Sequence, residues 1–162
     1  MTLIEARLTE LGHRLPPARI IPNPNRRFAL QVGRVLHLSG HGPYSLDPSL
    51  KAHGKFGVDV SVEDGYAVSR AIALSMLASV KQEIGSLDRV VQVIKLQGMV
   101  NCSPDFVDIP RVIDGASDLF YELFGPDAGC HTRMVTGMAS LANGICVELQ
   151  ADFEIGEPVP QR

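Results

Sequence analysis

The sequence predicts an α+β domain in which helices cover one face of a mixed β-sheet. Two long segments repeat apolar residues at the 3.6-residue period of a helix, and short segments rich in Val, Ile and Leu lie before, between and after them. The last of these segments, residues 147–155, alternates apolar side chains with acidic or amide ones. One face of that strand is therefore buried and the other is polar.

A short helix is predicted at the start of the chain. Thr2 and Glu5 match a capping box, and apolar residues at helical spacing continue until Gly12. Residues 15–25 then hold four prolines and two asparagines, which favours an extended lead-in. We therefore divide the chain into a helical appendage (1–14), a single α+β domain (15–156) and a C-terminal tail (157–162).

Strands are predicted at three places in the first two-thirds of the domain and at its end. Two β-type runs flank Gly33 and Arg34 and predict a hairpin. Residues 89–100 are apolar on both faces, as expected of a central strand.

Two long helices are predicted between these strands. Ser61 with Asp64 opens the first helix, and Gly85 ends it. The second helix runs from about Asp108 to Gly125, with a proline tolerated in its first turn.

Residues 131–155 predict two strands folded back on an Asn143–Gly144 turn. In that register, Arg133 and Glu148 lie roughly 20 Å apart within one chain. They would then act together only across a subunit boundary. Spacing alone equally allows a solvated or structural Arg133 and an outward-facing Glu148.

The strand that carries Arg133 has only small or thin residues on one parity. These are Val135, Gly137 and Ala139. The pattern suits close approach of another subunit, and solvent exposure is the alternative.

Composition excludes several classes of function. The net charge is −3, and no basic run is longer than Arg26–Arg27, which argues against nucleic-acid binding. The three cysteines lack disulfide or metal-ligand spacing, so no metal site is expected. No signal peptide or membrane-spanning segment is recognised, and a cytoplasmic location is predicted.

The common catalytic motifs for nucleotides, zinc proteases and serine hydrolases are absent from the sequence. A ribonuclease mechanism would need two histidines, or a histidine and a carboxylate, at one phosphate. His41 and His131 both follow predicted strand edges, but the simpler interpretation is that they are surface or turn residues.

Four segments nevertheless resemble, in order and spacing, the RidA family of reactive-intermediate deaminases, also known as endoribonuclease L-PSP proteins. The similarity extends from about residue 15 to 155 and is greatest to the longer branch with an N-terminal helix. The segments are RVLHLSGHGP, GKFGVDVSVEDGYAVSRAIALSMLASV, DRVVQVIKLQGMVNCSPDFVDIPRVIDGASDLFYELFG and HTRMVTGMASLANGICVELQADFEI.

The resemblance implies a chorismate-mutase-like fold, a homotrimer and ligand sites in the clefts between subunits. It implies hydrolysis of enamines and imines without a metal or cofactor, on a small carboxylate-bearing metabolite. The family's substrate-binding arginine falls on Arg133, its water-orienting glutamate on Glu148, and the backbone of its SG turn on Ser39 and Gly40.

The sequence departs from the active deaminases at three positions of this site. Arg26, two positions before Phe28, stands where they have a tyrosine shortly before the first strand, Ser117 stands where the second helix has an asparagine, and Gln150 replaces an acid. These departures predict either a different substrate or the loss of the activity. If it faces the cleft, Arg26 adds a second anion-binding group and favours a dicarboxylate or larger acid; solvent exposure is the alternative.

Three functions follow from the resemblance and are carried forward. The first is an enamine/imine deaminase with Arg133 and Glu148 as catalytic residues and Ser39, Gly40, Ser117 and Arg26 in substrate binding. The second is a non-catalytic trimer that binds or senses small carboxylates in the same cleft. The third, an endoribonuclease, ranks last because the basic surface and the paired histidines are missing.

Overall fold

Three α-helices and five strands make up the part of the chain that the computed structural model describes, residues 3–44 and 47–157. In chain order they are α1 (Leu3–Glu10), β1 (Ala29–Val32), β2 (Val35–Leu38), α2 (Val62–Ile84), β3 (Val90–Asn101), α3 (Ile109–Ala128), β4 (Thr132–Met138) and β5 (Val147–Ile155). The predicted capping residue Thr2 lies outside the described residues.

The strands form one mixed sheet in the order β1-β2-β5-β3-β4. Strand β4 is parallel to β3, and the other pairs are antiparallel. Helices α2 and α3 pack together on one face of the sheet, and the core lies between them and the strands. The predicted α+β class, with two helices on one face of a mixed sheet, is confirmed.

Local signals placed the ends of most elements correctly. Ser61 accepts a hydrogen bond from the Asp64 amide and the Asp64 carboxylate caps Ser61 in return, and α2 stops at Gly85 with φ 83°. Helix α3 breaks at Gly125, with φ 79° and ψ −178°, and then continues for a further turn to Ala128. The predicted end of α3 is thus the position of a break in the helix.

Both ends of helix α1 contact the rest of the fold. The amides of Leu3 and Ile4 donate to the Asp88 carboxylate at 3.0 and 2.9 Å, which satisfies two of the unpaired donors at the helix start. Leu8 is buried in the same core cluster as the sheet. The proposed division into appendage, domain and tail remains a prediction.

The predicted hairpin of β4 and β5 is wrong. Asn143 and Gly144 do form a left-handed turn, with φ 56° and 67°, but β3 lies between the two strands. The chain reaches β4 through the α3 crossover, which brings β4 parallel to β3. The turn pairs with an earlier loop instead: the Gly54 amide donates to the Gly144 carbonyl at 3.1 Å.

The small residues on one face of β4 also contact a different neighbour from the second subunit that we expected. A Cβ on Gly137 would lie 2.9 Å from Ile109 Cδ1 on α3, and Val135 packs against the core. This face of β4 is therefore directed toward the chain's own helices, and its small residues allow α3 to pack closely against it.

None of the helices within the described ranges is long and apolar enough to cross a bilayer. The cytoplasmic location remains a prediction.

Candidate functional site

Arg133 lies on the edge strand β4, and its side chain reaches toward helix α3. Its register partner on β3 is Leu96, which is fully buried under the helices. Nη1 donates to Asp114 Oδ1 at 2.7 Å and to Ser117 Oγ at 3.1 Å. Both partners lie one helical turn apart on the same face of α3. The helix thus fixes one end of the guanidinium.

The other donors of this guanidinium have no partner among the described residues. Nη1 carries both of the hydrogen bonds that Arg133 makes there, which leaves Nε and Nη2 available as a pair of parallel donors. That edge has the geometry to bind a carboxylate through two hydrogen bonds.

We call the surroundings of Arg133 the arginine half-site. They form a cavity of about 270 Å³ lined by Ser117, Asp118, Tyr121, Gly129, Cys130, His131 and Arg133. The Ser117 hydroxyl lies between Arg133 and His131, since its oxygen is 3.1 Å from His131 Nε2. Burial and the neighbouring Arg133 lower the pKa of His131, although its hydrogen bond to Gly129 opposes them. These effects favour a neutral imidazole.

Glu148 lies on β5 and faces the other side of the sheet. Val147 and Leu149 are fully buried toward the helices, so the alternation of the strand turns Glu148 away from them. A Cβ added to Gly40 would overlap Glu148 Oε1. The carboxylate therefore rests directly on the Ser39–Gly40 backbone, and a side chain at Gly40 would displace it.

We call Ser39, Gly40 and Glu148 the glutamate half-site. The Ser39 hydroxyl donates to the Arg27 carbonyl at 2.6 Å, and the Ser39 amide donates to the Phe28 carbonyl at 2.8 Å. These bonds hold the lead-in segment beside the turn. The serine hydroxyl is engaged by backbone, so the part of this turn that faces Glu148 is Gly40.

Arg26 lines a cavity of about 420 Å³ next to this half-site. The residues around it are Pro24, Asn25, Arg26, Arg27, Leu30, His37, Leu38 and Ser39. None of them is acidic, and neither Arg26 nor Arg27 has a carboxylate partner within the described ranges. The cavity is therefore positively charged.

His41 supports the glutamate half-site from inside the fold. Its ring is fully buried, with Nδ1 2.7 Å from the Ser39 carbonyl and Nε2 2.9 Å from Ser79 Oγ on α2. Burial lowers the pKa of this histidine, while the hydrogen bond to Ser39 opposes that shift. A neutral His41 thus ties the turn to the helix layer.

The residues singled out from the sequence fall into two groups. Arg133 and Ser117 lie in the arginine half-site; Glu148, Ser39 and Gly40 form the glutamate half-site, with Arg26 in the cavity beside it. One chain does not bring Arg133 and Glu148 together. The cause is their orientation on opposite faces, two strands apart, and not the 20 Å hairpin offset that we expected.

Two residues that hold Arg133 were not assigned to its site from the sequence: Asp114 was not singled out, and His131 was considered only as a ribonuclease histidine. Asp114 and His131 contact Arg133 directly or through Ser117. The spacing of Asp114 and Ser117, which places both on one helical face, was the available signal. It could not show which strand that face would meet.

The comparisons with known proteins agree with this fold over almost the whole chain. The family described as "YjgF/chorismate_mutase-like, putative endoribonuclease" matches residues 5–152. Protein TCP17 from Trypanosoma cruzi is 38% identical over 152 residues, which cover 94% of each chain.

Two solved structures are similar at comparable identity. A putative endoribonuclease from Shewanella oneidensis MR-1 has a TM-score of 0.86 and 34% identity, covering 94% of this chain and 99% of its own. A protein of unknown function from Agrobacterium tumefaciens has a TM-score of 0.84 and 37% identity, covering 94% and 92%. The chain therefore belongs to the YjgF/chorismate-mutase-like family, the RidA and L-PSP endoribonuclease family that its sequence resembles.

Proposed function

We propose that the protein hydrolyses 2-imino and 2-enamino acids to 2-keto acids and ammonia, at sites that two subunits of a homotrimer complete. The observation that carries this proposal is the pair of half-sites on opposite faces of one sheet. One presents an arginine edge shaped for a carboxylate, and the other presents a carboxylate over a glycine turn.

Arg133 has the binding role in this proposal. Asp114 and Ser117 engage Nη1, so the substrate carboxylate would take Nε and Nη2. Two parallel hydrogen bonds hold the carboxylate plane and thereby fix the α-carbon of the substrate.

Glu148 has the role of orienting water. Its carboxylate accepts a hydrogen bond from a water molecule and directs the water oxygen at the electrophilic C=N carbon. Addition of water gives a tetrahedral carbinolamine, which expels ammonia as its C–N bond breaks and leaves the keto acid. An enamine enters the same route once its β-carbon is protonated. The reaction needs water and no cofactor.

The exposed surface of the sheet supports the completion of the site across subunits. Strand β4 has one neighbour in the sheet, β3, within the described part of the chain, and five of its seven residues are exposed. On the face away from the helices, Leu30 is 51% and Met134 47% exposed. A subunit packed on this face would cover these side chains, as exposed apolar surface commonly indicates.

The charge around Arg26 supports an acidic substrate. The adjoining cavity holds Arg26 and Arg27 and no acidic residue, so it suits a second carboxylate at the far end of the substrate. We expect 2-iminosuccinate, made from D-aspartate by its oxidase, to be preferred over 2-iminopropanoate made from D-alanine. Arg26→Gln should reduce this preference severalfold, whereas Arg14→Gln, at an exposed arginine outside the cavity, should leave it unchanged.

The hydrolysis itself is tested by trapping. Imino acids generated by an oxidase form adducts with semicarbazide, and the wild-type protein should suppress these adducts. Arg133→Ala and Glu148→Gln should each abolish suppression while the oligomer, measured by light scattering, stays intact.

Mixing the two inactive variants tests whether subunits share sites. If each site takes Arg133 from one chain and Glu148 from another, random co-assembly after denaturation and refolding restores about a quarter of the sites. If each site lay within one chain, mixing the two variants would restore no activity. A monomeric protein would also contradict the proposal.

A non-catalytic role in binding small carboxylates is the second candidate. It is favoured by the arginine half-site, because that half-site is complete for anion binding within one chain. Binding of pyruvate that depends on Arg133, together with no suppression by the wild type for any imine, would establish it.

An endoribonuclease activity has little structural support. His41 is fully buried, and both ring nitrogens of His131 are engaged within the chain. Ribonuclease cleavage that survives repurification and is lost in His131→Gln would reverse this ranking.

A further inference from the structure

His131, Ser117 and Arg133 form one continuous chain of hydrogen bonds. His131 Nδ1 is 2.8 Å from the Gly129 carbonyl, which only accepts, so Nδ1 carries the proton. In the neutral ring, Nε2 is then an acceptor. The Ser117 hydroxyl donates to it at 3.1 Å and turns its lone pairs toward Arg133 Nη1.

We propose that His131, as its Nδ1–H tautomer, is a positioning residue for Arg133 in the hydrolysis proposed above, on which this inference rests. Its free Nε2 lone pair fixes the rotamer of Ser117, and Ser117 fixes the guanidinium so that Nε and Nη2 face the cavity. His131 lines that cavity beside Arg133.

The surroundings of the ring support this role. Phe120 meets the imidazole edge-on, with ring centroids 5.8 Å apart, which holds the ring plane. Asp114 takes the second proton of Nη1. Without an acceptor at Nε2, the Ser117 proton would turn to a carbonyl of its own helix, the usual alternative for a helical serine. Arg133 would then keep Asp114 as its one fixed partner.

The experiment compares variants that separate the acceptor from the ring. His131→Phe keeps an aromatic ring against Phe120 but removes the acceptor. His131→Gln supplies a carbonyl oxygen near the position of Nε2. His53→Gln is the matched control, because His53 is exposed and its side chain has no hydrogen bond within the described residues.

We expect the Phe variant to raise the apparent KM for imino acid and the Kd for pyruvate by roughly tenfold, the loss of about one hydrogen bond to a charged group, with kcat nearly unchanged. The Gln variant should recover most of the affinity. Equal kcat and KM losses, or no rescue by Gln, would overturn the inference.

Two further readouts separate this inference from the proposed function. If pyruvate binding depends on His131 while no imine is hydrolysed, the positioning role stands and the deaminase does not. If the wild type hydrolyses imines and His131→Phe has an unchanged KM, the deaminase function stands and the positioning role does not. Nitrogen-15 NMR of the imidazole should show a protonated Nδ1 and a bare Nε2 at neutral pH. An Nε2–H tautomer, or a failure of pyruvate to bind at all, would refute the inference.

Discussion

The two half-sites are built on the same hydrogen-bonded unit. In each, a histidine has Nδ1 against the carbonyl two residues earlier and Nε2 against a serine hydroxyl on the covering helix: His41 with Ser79, and His131 with Ser117. The serines differ. Ser79 also lies 3.3 Å from the Ser75 carbonyl of its own helix, whereas Ser117 accepts from Arg133.

This difference shows how one local unit takes two roles. Around His41 the partners are a backbone carbonyl, that of Ser39, and the buried Ser79 hydroxyl, so the unit joins the end of β2 to α2. Around His131 the last partner is a guanidinium that faces a cavity, so the unit orients a group for ligand binding. Removing the first histidine should affect stability, and removing the second should affect affinity.

The largest expected effect is on folding. His41→Ala removes a fully buried ring, its bond to the Ser39 carbonyl and one of the two partners of the Ser79 hydroxyl. We expect the free energy of unfolding to fall by about 3 kcal/mol. Urea denaturation measures it. His131→Ala should cost about 1 kcal/mol or less, and equal losses would erase the distinction between the two units.

The next effect tests the glutamate half-site alone. Gly40→Ala places a methyl group on Glu148 Oε1, and because Gly40 does not have a positive φ, alanine is allowed at its backbone conformation. Imine hydrolysis should fall at least tenfold, which corresponds to about 1.4 kcal/mol. Thermal unfolding should change little. An alanine variant with full activity would show that Glu148 works from another position.

Low pH should decrease the free energy of unfolding through His41 and His131. Burial lowers the folded-state pKa of His41 and of His131 below 6.5, so the unfolded chain takes up protons that the folded chain refuses. Stability is then fully present above pH 6.5 and declines as the pH falls toward the folded pKa values, by at most about 1.4 kcal/mol per pH unit for each group.

Urea midpoints at pH 7.5, 6.5 and 5.5 measure this decline. The slope should be smaller in His131→Phe, by the contribution of one histidine. A flat profile in the wild type would mean that the two rings titrate alike in both states.

The smallest effect on stability belongs to the link between His131 and Arg133. Ser117→Ala removes one of the two acceptors at Nη1 but leaves Asp114 in place. The KM for imino acid should rise about tenfold, as in His131→Phe, because both variants leave Asp114 as the one fixed partner of Arg133. The free energy of unfolding should change by less than about 0.5 kcal/mol. A KM well below that of His131→Phe would mean that the histidine acts on Arg133 by a route other than the serine.

Local features of the fold could be predicted from the sequence. The Ser61 cap, the Gly85 stop and the Gly33–Arg34 turn depend on residues only a few positions apart, and the structure confirms each of them. Asn143 and Gly144 adopt the left-handed turn that their residue types favour.

The partner of β4 could not be predicted in the same way. Which strand lies beside Arg133 depends on the α3 crossover and on contacts between residues 37 positions apart, and a turn signal carries no information about either. The face of β4 that carries Arg133 was therefore predicted to meet another subunit, whereas it meets α3.

Most residues of the candidate site could be predicted from the sequence, but the contacts among them could not. Arg133, Glu148, Ser39, Gly40, Ser117 and Arg26 came from the family resemblance, and their roles remain predictions. The bonds that link Arg133 to Asp114, Ser117 and, through Ser117, His131 form only once α3 lies against β4, so no short sequence motif predicts them.

The position of β5 bears on how the chain is made. The segment that leaves the ribosome last among the strands, Val147–Ile155, pairs with β2 on one side and β3 on the other. Until it arrives, the nascent chain has two unpaired strand edges flanking a gap in the middle of its sheet, the kind of surface on which aggregation begins. Chains that end before Val147 would keep that gap, and so proteolysis or premature termination at that point should yield insoluble fragments instead of a smaller functional domain.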